Sequence, residues 1–426
     1  MKILIVAAFF PPQNSIASLR PYSWAKWWSR AGHDVTVVTT IKKKMPNDSN
    51  LDCSFFKVIS LQIPILSKIT KLSKPITTEK QIKIKKHDII IQILKKYFKK
   101  FSLKTGCFYS ARFPDFHDLW VIKVKKMINA NDYDIVISTG GPYSTHRVGY
   151  YIKKKNPKIK WIVDWRDYWT KSVEMKGLFI FRPYEKYLEK TFNNTADLIS
   201  TVSEPFSETF RIMTKTKVIT IYNGYDIEDF NFLKNKKRIV NKKLIIVYAG
   251  TIWPKISDPS PLFNAIECLD KAKKITPDNL EIIFLGNNAD VKDLIQKYGI
   301  NRYYSYKGFL SREDAIEYQY NADIGLLLGV NSHEARGVLT GKLFEMLVLC
   351  KEIWAIGLTN SMQAGDLIEK TNTGFCFGTN VRLIEKEIME RLKDNKRKDR
   401  QKNFEIIEQY NRKNQAEILL NTVKEI

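Results

Sequence analysis

The chain has 426 residues, 44% of them hydrophobic, with 19 Gly and 15 Pro. This length suits two domains, and the composition excludes a disordered or low-complexity protein. Lys and Arg number 70 against 45 Asp and Glu, a net charge of +25, so an anionic partner is expected: nucleic acid, a membrane surface or anionic small substrates.

No apolar run approaches the roughly 18 residues needed to cross a bilayer. Cys53, Cys107, Cys268, Cys350 and Cys376 show no CxxC spacing. They read as reduced cytoplasmic thiols, not as a disulfide framework or zinc site. The five histidines lack ligand spacing, so no metal site is expected.

In chain order, Ile3 to Ala8 is a continuous apolar run, predicting a strand buried on both faces. It begins a little like a signal peptide, but Phe9-Phe10-Pro11-Pro12 turns the chain at once, and a cytoplasmic protein is expected. Pro11 to Ser18 reads as a loop, Tyr22 to Ala31 as a helix stopped by Gly32, and Val35 to Thr40 as a second parallel strand. Gln81 to Leu103 interleaves isoleucines and phenylalanines with lysines, with Asp88 its one acid. The segment fits either a basic amphipathic helix on a membrane surface or a packed helix with a solvated lysine face.

Further strands are predicted at Asp134 to Thr139, Trp161 to Asp164, Leu198 to Val202 and Val218 to Ile221. A lysine-rich link, Asn231 to Lys243, precedes a second series at Leu244 to Tyr248, Glu281 to Leu285, Tyr304 to Lys307, Ile324 to Leu328 and Ile353 to Ile356. Val381 to Ile426 is charged and helical in pattern. Two runs of strand–helix alternation predict an α/β protein of two doubly wound, Rossmann-like domains facing across a cleft. The expected division is 1–235, with a basic insertion at about 80–105, then 243–400, then a C-terminal helix over 401–426.

The most telling stretch is Thr340-Gly341-Lys342-Leu343-Phe344-Glu345-Met346-Leu347. A small-residue turn opens a short helix whose backbone N–H groups suit a diphosphate. Glu345, one turn in, suits the ribose hydroxyls of the same nucleotide. Gly250 lets backbone approach a phosphate, and Lys255 is the nearest cation for a leaving diphosphate. Asp164-Trp165-Arg166-Asp167 ends an apolar strand, and two carboxylates with an arginine at a strand end suit a hydroxyl-rich ligand, unless an Asp–Arg pair merely ties the loop. His146 starts a helix after Gly140-Gly141-Pro142, where it either contacts the acceptor or packs inward.

As an ordered series, the motifs resemble GT-B glycosyltransferases of family four, particularly bacterial enzymes of surface-polysaccharide assembly. The series starts with Met1 to Val6, Pro11-Pro12 and Ala31-Gly32-His33-Asp34, then Phe113-Pro114-Asp115 with Trp120. Asp164 to Trp169, Ala196-Asp197 and Asn223-Gly224-Tyr225-Asp226 follow. Tyr248-Ala249-Gly250, Leu285-Gly286, Lys307-Gly308-Phe309 and Asn321-Ala322-Asp323 keep the order in the second half.

The resemblance implies sugar transfer from a nucleotide diphosphate sugar to a hydroxyl of a lipid-linked glycan, with retention of configuration and no metal or other cofactor. It implies donor binding by Gly250, Thr251, Lys255, Glu334, Gly341, Lys342, Leu343 and Glu345. Catalysis would fall to Asp164, Arg166 and Asp167, and acceptor binding to Ser15, Arg20 and His146. Two departures stand out: Gly337 holds the place of the family's first donor-motif glutamate, three residues after Glu334, and Thr251 that of an arginine. They keep two alternatives open: a non-catalytic GT-B subunit that binds a partner transferase or lipid carrier, and a GT-B sugar-nucleotide epimerase. An anionic membrane surface is the expected macromolecular partner. Nucleic acid is not, because the lysines are dispersed and no recognition module is present.

Overall fold

The computed structural model describes residues 1–13, 15–41, 51–63, 86–172, 175–252, 257–286, 291–329, 336–393 and 400–426, with 86–93 by backbone alone. The expected Lys255 and Glu334 lie outside the described residues. The chain forms two compact units, Met1–Tyr222 with Ala416–Ile426, and Asn223–Gln415.

The first unit holds a seven-stranded parallel sheet: β1 (Lys2–Val6), β2 (Asp34–Thr40), β3 (Lys57–Leu61), β4 (Ile135–Thr139), β5 (Lys160–Trp165), β6 (Leu198–Thr201) and β7 (Val218–Thr220). Their order is 3-2-1-4-5-6-7. The second unit holds six: β8 (Leu244–Ala249), β9 (Leu280–Leu285), β10 (Tyr304–Gly308), β11 (Ile324–Leu328), β12 (Glu352–Ile356) and β13 (Gly374–Gly378), in the order 10-9-8-11-12-13. Each sheet reverses its winding beside its first strand, between β1 and β4 and between β8 and β11. Ligands of such sheets bind outside the carboxyl ends of the strands at these places.

The doubly wound α/β class is therefore as expected, for a physical reason visible in β1. Its side chains alternate between faces, so Leu4 and Val6 enter one core with Val136 and Val163, while Ile3 and Ile5 enter another with Ile135 and Ile137. Helices cover both faces, and every residue of β4 is buried. The second core of this unit is completed by the last helix, Arg412–Lys424. Ala416, Leu419, Leu420 and Val423 recur at helical spacing and pack there with Trp24 and Trp28. Trp28 Nε1 donates to the carbonyl of Ala416 at 2.9 Å.

Two strands escaped the sequence reading, β3 and β13, both at sheet edges. Lys57 to Leu61 is only partly buried, and Gly374 to Gly378 is bounded by glycines. An edge strand needs no long apolar run, so the periodicity is weak there. The basic segment forms a helix, Lys86–Thr105, whose side chains from Leu94 to Lys104 are exposed apart from Ser102.

Candidate functional site

In the second unit, β8 ends at Ala249 and the chain leaves the sheet through Gly250, whose φ is 151°. A Cβ there would stand 1.6 Å from Lys342 Nζ, so the missing side chain is the space that the ammonium occupies. The same ammonium lies 5.1 Å from the ring centroid of Tyr248. Lys342 as a residue is exposed, yet desolvation of its charged end lowers its pKa, with Glu345 partly opposing. No ion pair to it exists among the described residues.

Lys342 belongs to the helix Gly341–Leu349, whose N-cap, Thr340, makes no side-chain capping bond. Leu343, Phe344, Met346, Leu347 and Leu349 are buried, which leaves Lys342 and Glu345, three apart, on the opposite face. Leu343, one of the expected donor residues, is a core side chain whose amide bonds to Thr340 O at 3.1 Å; its contribution is to seat the helix. Gly341 opens the helix, and Thr251 follows Gly250, its carbonyl receiving the Tyr248 hydroxyl at 3.0 Å.

Glu345 is held. Arg312 Nη2 donates to Glu345 Oε1 at 2.7 Å and to Asp229 Oδ2 at 2.9 Å. Burial would lower the Arg312 pKa, but the two carboxylates raise it above the ordinary arginine value. Arg412, buried, stands 3.6 Å from Asp229 and donates to Asn223 O at 3.0 Å. Gly224, at φ 58°, lets this segment approach Tyr410: a Cβ would meet the Tyr410 carbonyl at 2.2 Å. Phe344 packs on the Tyr410 ring at 5.3 Å, which ties the helix to the same segment. Arg312 and Asp229 were not singled out in the sequence, because each pairs over a long separation that no local spacing reveals.

In the first unit the polar groups at the strand ends are bound mainly to one another. Asp164 is fully buried, and Arg20 donates to both its oxygens, from Nη2 at 2.7 Å and from Nε at 3.2 Å. Hydroxyls of Thr139 and Ser200 donate to the same carboxylate at 2.7 and 2.8 Å, and Arg20 Nη1 donates to Ile221 O at 2.6 Å. Burial would raise the Asp164 pKa, but the Arg20 charge and these bonds outweigh it and hold the carboxyl below its ordinary value. In this conformation Asp164 and Arg20, expected to serve catalysis and the acceptor, are joined in a buried pair.

His146, expected either at the acceptor or packed inward, also lies inside the unit. It is fully buried, with Nδ1 2.8 Å from Ser138 Oγ and its ring edge-on to Trp165 at 4.2 Å. Burial pushes its pKa down to about 3, against a smaller opposing pull from Asp164, so the ring stays neutral. Nε2 has no partner among the described residues and faces Gly140, where a Cβ would come within 2.8 Å.

Arg166 and Asp167 remain partly or fully open to solvent. Arg166 donates from Nε to Gly140 O and from Nη2 to Gly141 O, both at 2.8 Å, and its guanidinium lies 6.0 Å from the Phe9 ring. Desolvation lowers its pKa, with Asp167 opposing. Ser15, partly buried, pairs its hydroxyl with that of Ser18 at 3.0 Å. Thus Asp164, Arg166 and His146 gather around one turn, while Asp167 points to solvent.

No protein-family model matches the chain, and no curated protein matches it. Solved structures do. Sucrose-phosphate synthase from Thermosynechococcus elongatus is 14% identical with a TM-score of 0.59, over 100% of this chain and 98% of that one. An α,α-trehalose-phosphate synthase (UDP-forming) from Burkholderia vietnamiensis is 8% identical with a TM-score of 0.59, over 100% and 99%. A mutant of S. aureus TarM in complex with fondaparinux, α-GlcNAc-glycerol and UDP is 11% identical with a TM-score of 0.58, over 99% of each chain. The likeness is one of fold: this chain has the GT-B architecture of these glycosyltransferases from end to end.

Proposed function

We propose that this protein transfers a sugar from a nucleotide diphosphate sugar to a hydroxyl of a glycan acceptor. The observation that carries the reading is the Lys342 ammonium lodged over Gly250 at the end of β8, one helical turn from a Glu345 held by Arg312. A diphosphate at the start of that helix meets a cation already partly stripped of water, together with first-turn N–H groups. Glu345 then receives the ribose hydroxyls through the oxygen that Arg312 does not occupy.

In the reaction the bond from the anomeric carbon to the diphosphate oxygen breaks and the bond to the acceptor oxygen forms. The acceptor proton passes to the departing diphosphate, and configuration is retained. Support for that route comes from Asp164, whose ion pair with Arg20 removes it as the base. Lys342 and the helix amides carry the leaving-group charge without a metal in this proposal, so activity in a chelator is its expected signature. The acceptor belongs to the first unit, beside Arg166 and Asp167. It is lipid-linked, and the basic helix Lys86–Thr105 holds the enzyme to an anionic membrane on the cytoplasmic side.

Thermal-shift titration with a panel of nucleotide diphosphate sugars tests the donor reading. One nucleotide class should raise the unfolding temperature, and Glu345→Ala should abolish both that shift and transfer. Full transfer by Glu345→Ala would overturn the enzymatic reading and favour a binding subunit.

A further inference from the structure

From Leu94 onward the helix Lys86–Thr105 departs from the packed form that its sequence also allowed. Lysines and apolar residues alike are exposed there, and Ser102 is the buried side chain among 94–104. Leu94, Tyr97, Phe98 and Phe101 recur at the spacing of one helix face, with Leu94 62% and Tyr97 68% exposed. Lys95, Lys96, Lys99, Lys100 and Lys104 flank this stripe, and no acid occurs between Ile89 and Pro114. Water gains nothing from an apolar stripe left open in this way, and among the described residues only Phe98 finds a ring neighbour, Phe108 at 5.6 Å.

A second apolar projection is fastened to the end of that helix. Gly177 N donates to Thr105 O at 3.0 Å. Two residues on, Phe179 is 77% and Ile180 60% exposed. Side-chain contacts seat the segment. Arg112, buried, donates to Glu185 at 2.7 Å and to Lys176 O at 3.3 Å, and Phe113 packs edge-on against Phe181 and Tyr184 at 5.0 and 5.1 Å. Lys171, Lys176, Arg182, Lys186 and Lys190 are exposed around it, whereas Glu185 and Glu189 are buried. Both projections therefore offer exposed apolar side chains with exposed cations in the flanking sequence, and a buried ion pair helps hold the second one out.

We propose that Phe179 and Ile180 form a second membrane anchor, inserting with the Leu94–Phe101 stripe into the interface of an anionic bilayer while the surrounding lysines meet the lipid headgroups. The inference rests on the membrane association proposed above and adds to it a site and a mode. Contact is by two coupled insertions rather than by charge alone, so it fixes the first unit's orientation on the lipid. An acidic protein surface would match the cations but would leave Phe179 and Ile180 without an apolar host.

The test uses the full chain and sedimentation with vesicles of phosphatidylcholine, with and without phosphatidylglycerol. Wild type is expected to bind the anionic vesicles, and rising salt should weaken but not abolish binding. Phe179→Ser combined with Ile180→Ser should reduce partitioning roughly 30-fold, with the unfolding temperature and the nucleotide thermal shift unchanged. Hydrogen exchange on wild type should slow at residues 94–104 and 179–181 together when vesicles are added. If the double variant binds as wild type does, or exchange slows at the helix alone, the second anchor is overturned while membrane association stands. If wild type ignores anionic vesicles, both fall.

Discussion

The two sheets share a winding rule but treat their charges in opposite ways. At the strand ends of the first unit, Asp164, Arg20, Thr139 and Ser200 satisfy one another, and His146 is buried neutral. At the strand ends of the second, Lys342 is desolvated without a counter-ion among the described residues, next to a helix start that no side chain caps. Internal pairing builds a rigid floor. A partly desolvated cation with no ion pair among the described residues suits an anion. The same residue types thus serve architecture in one unit and, in the function proposed above, recognition in the other.

The strongest way to break this contrast is Asp164→Asn, which leaves Arg20 buried without its partner. It should destabilise the protein by about 3–5 kcal/mol in denaturant unfolding, while the second unit's nucleotide affinity survives. Next is Lys342→Ala, expected to weaken nucleotide diphosphate binding by roughly 10- to 100-fold in calorimetry, or about 1.4–2.7 kcal/mol, with unfolding unchanged. Equal affinity in that variant would remove the recognition half of the comparison. Gly250→Ala should act on the same interaction from the backbone side. It forces a side chain into positive φ at about 1–2 kcal/mol and displaces the ammonium, so affinity falls although Lys342 is intact.

A finer test uses pH. The His146 pKa lies near 3 when folded and 6.5 when free, so between those values the unfolded chain binds the extra proton. Stability from this group is therefore whole above about 6.5 and is lost as pH falls towards 3. In His146→Phe the stability–pH slope over that window should flatten by up to about 1.4 kcal/mol per pH unit. Asp164 works in the same direction at lower pH: its depressed pKa gives stability present above the free carboxylate's value and lost as pH falls through the folded one.

The fold was legible wherever strands are covered on both sides, since burial of both faces demands the unbroken apolar runs seen at Ile3 to Val6 or Ile324 to Leu328. It was not legible at β3 and β13, where an open edge relaxes that demand. In the site, Lys342 and Glu345 could be placed together because three residues on a helix define a face. Asp164 could not be placed with Arg20, 144 positions away, nor Glu345 with Arg312, 33 away. Local spacing cannot tell a carboxylate that awaits a ligand from one already claimed by a distant guanidinium.

The last helix has a consequence for how the protein is made. Ala416, Leu419, Leu420 and Val423 fill a core whose other members, among them Ile3, Trp24 and Trp28, are synthesised first. During translation the earlier half must wait, with indoles unsheltered, until the whole second unit has left the ribosome. Chaperone dependence of the nascent chain should therefore persist until Arg412–Lys424 has been made.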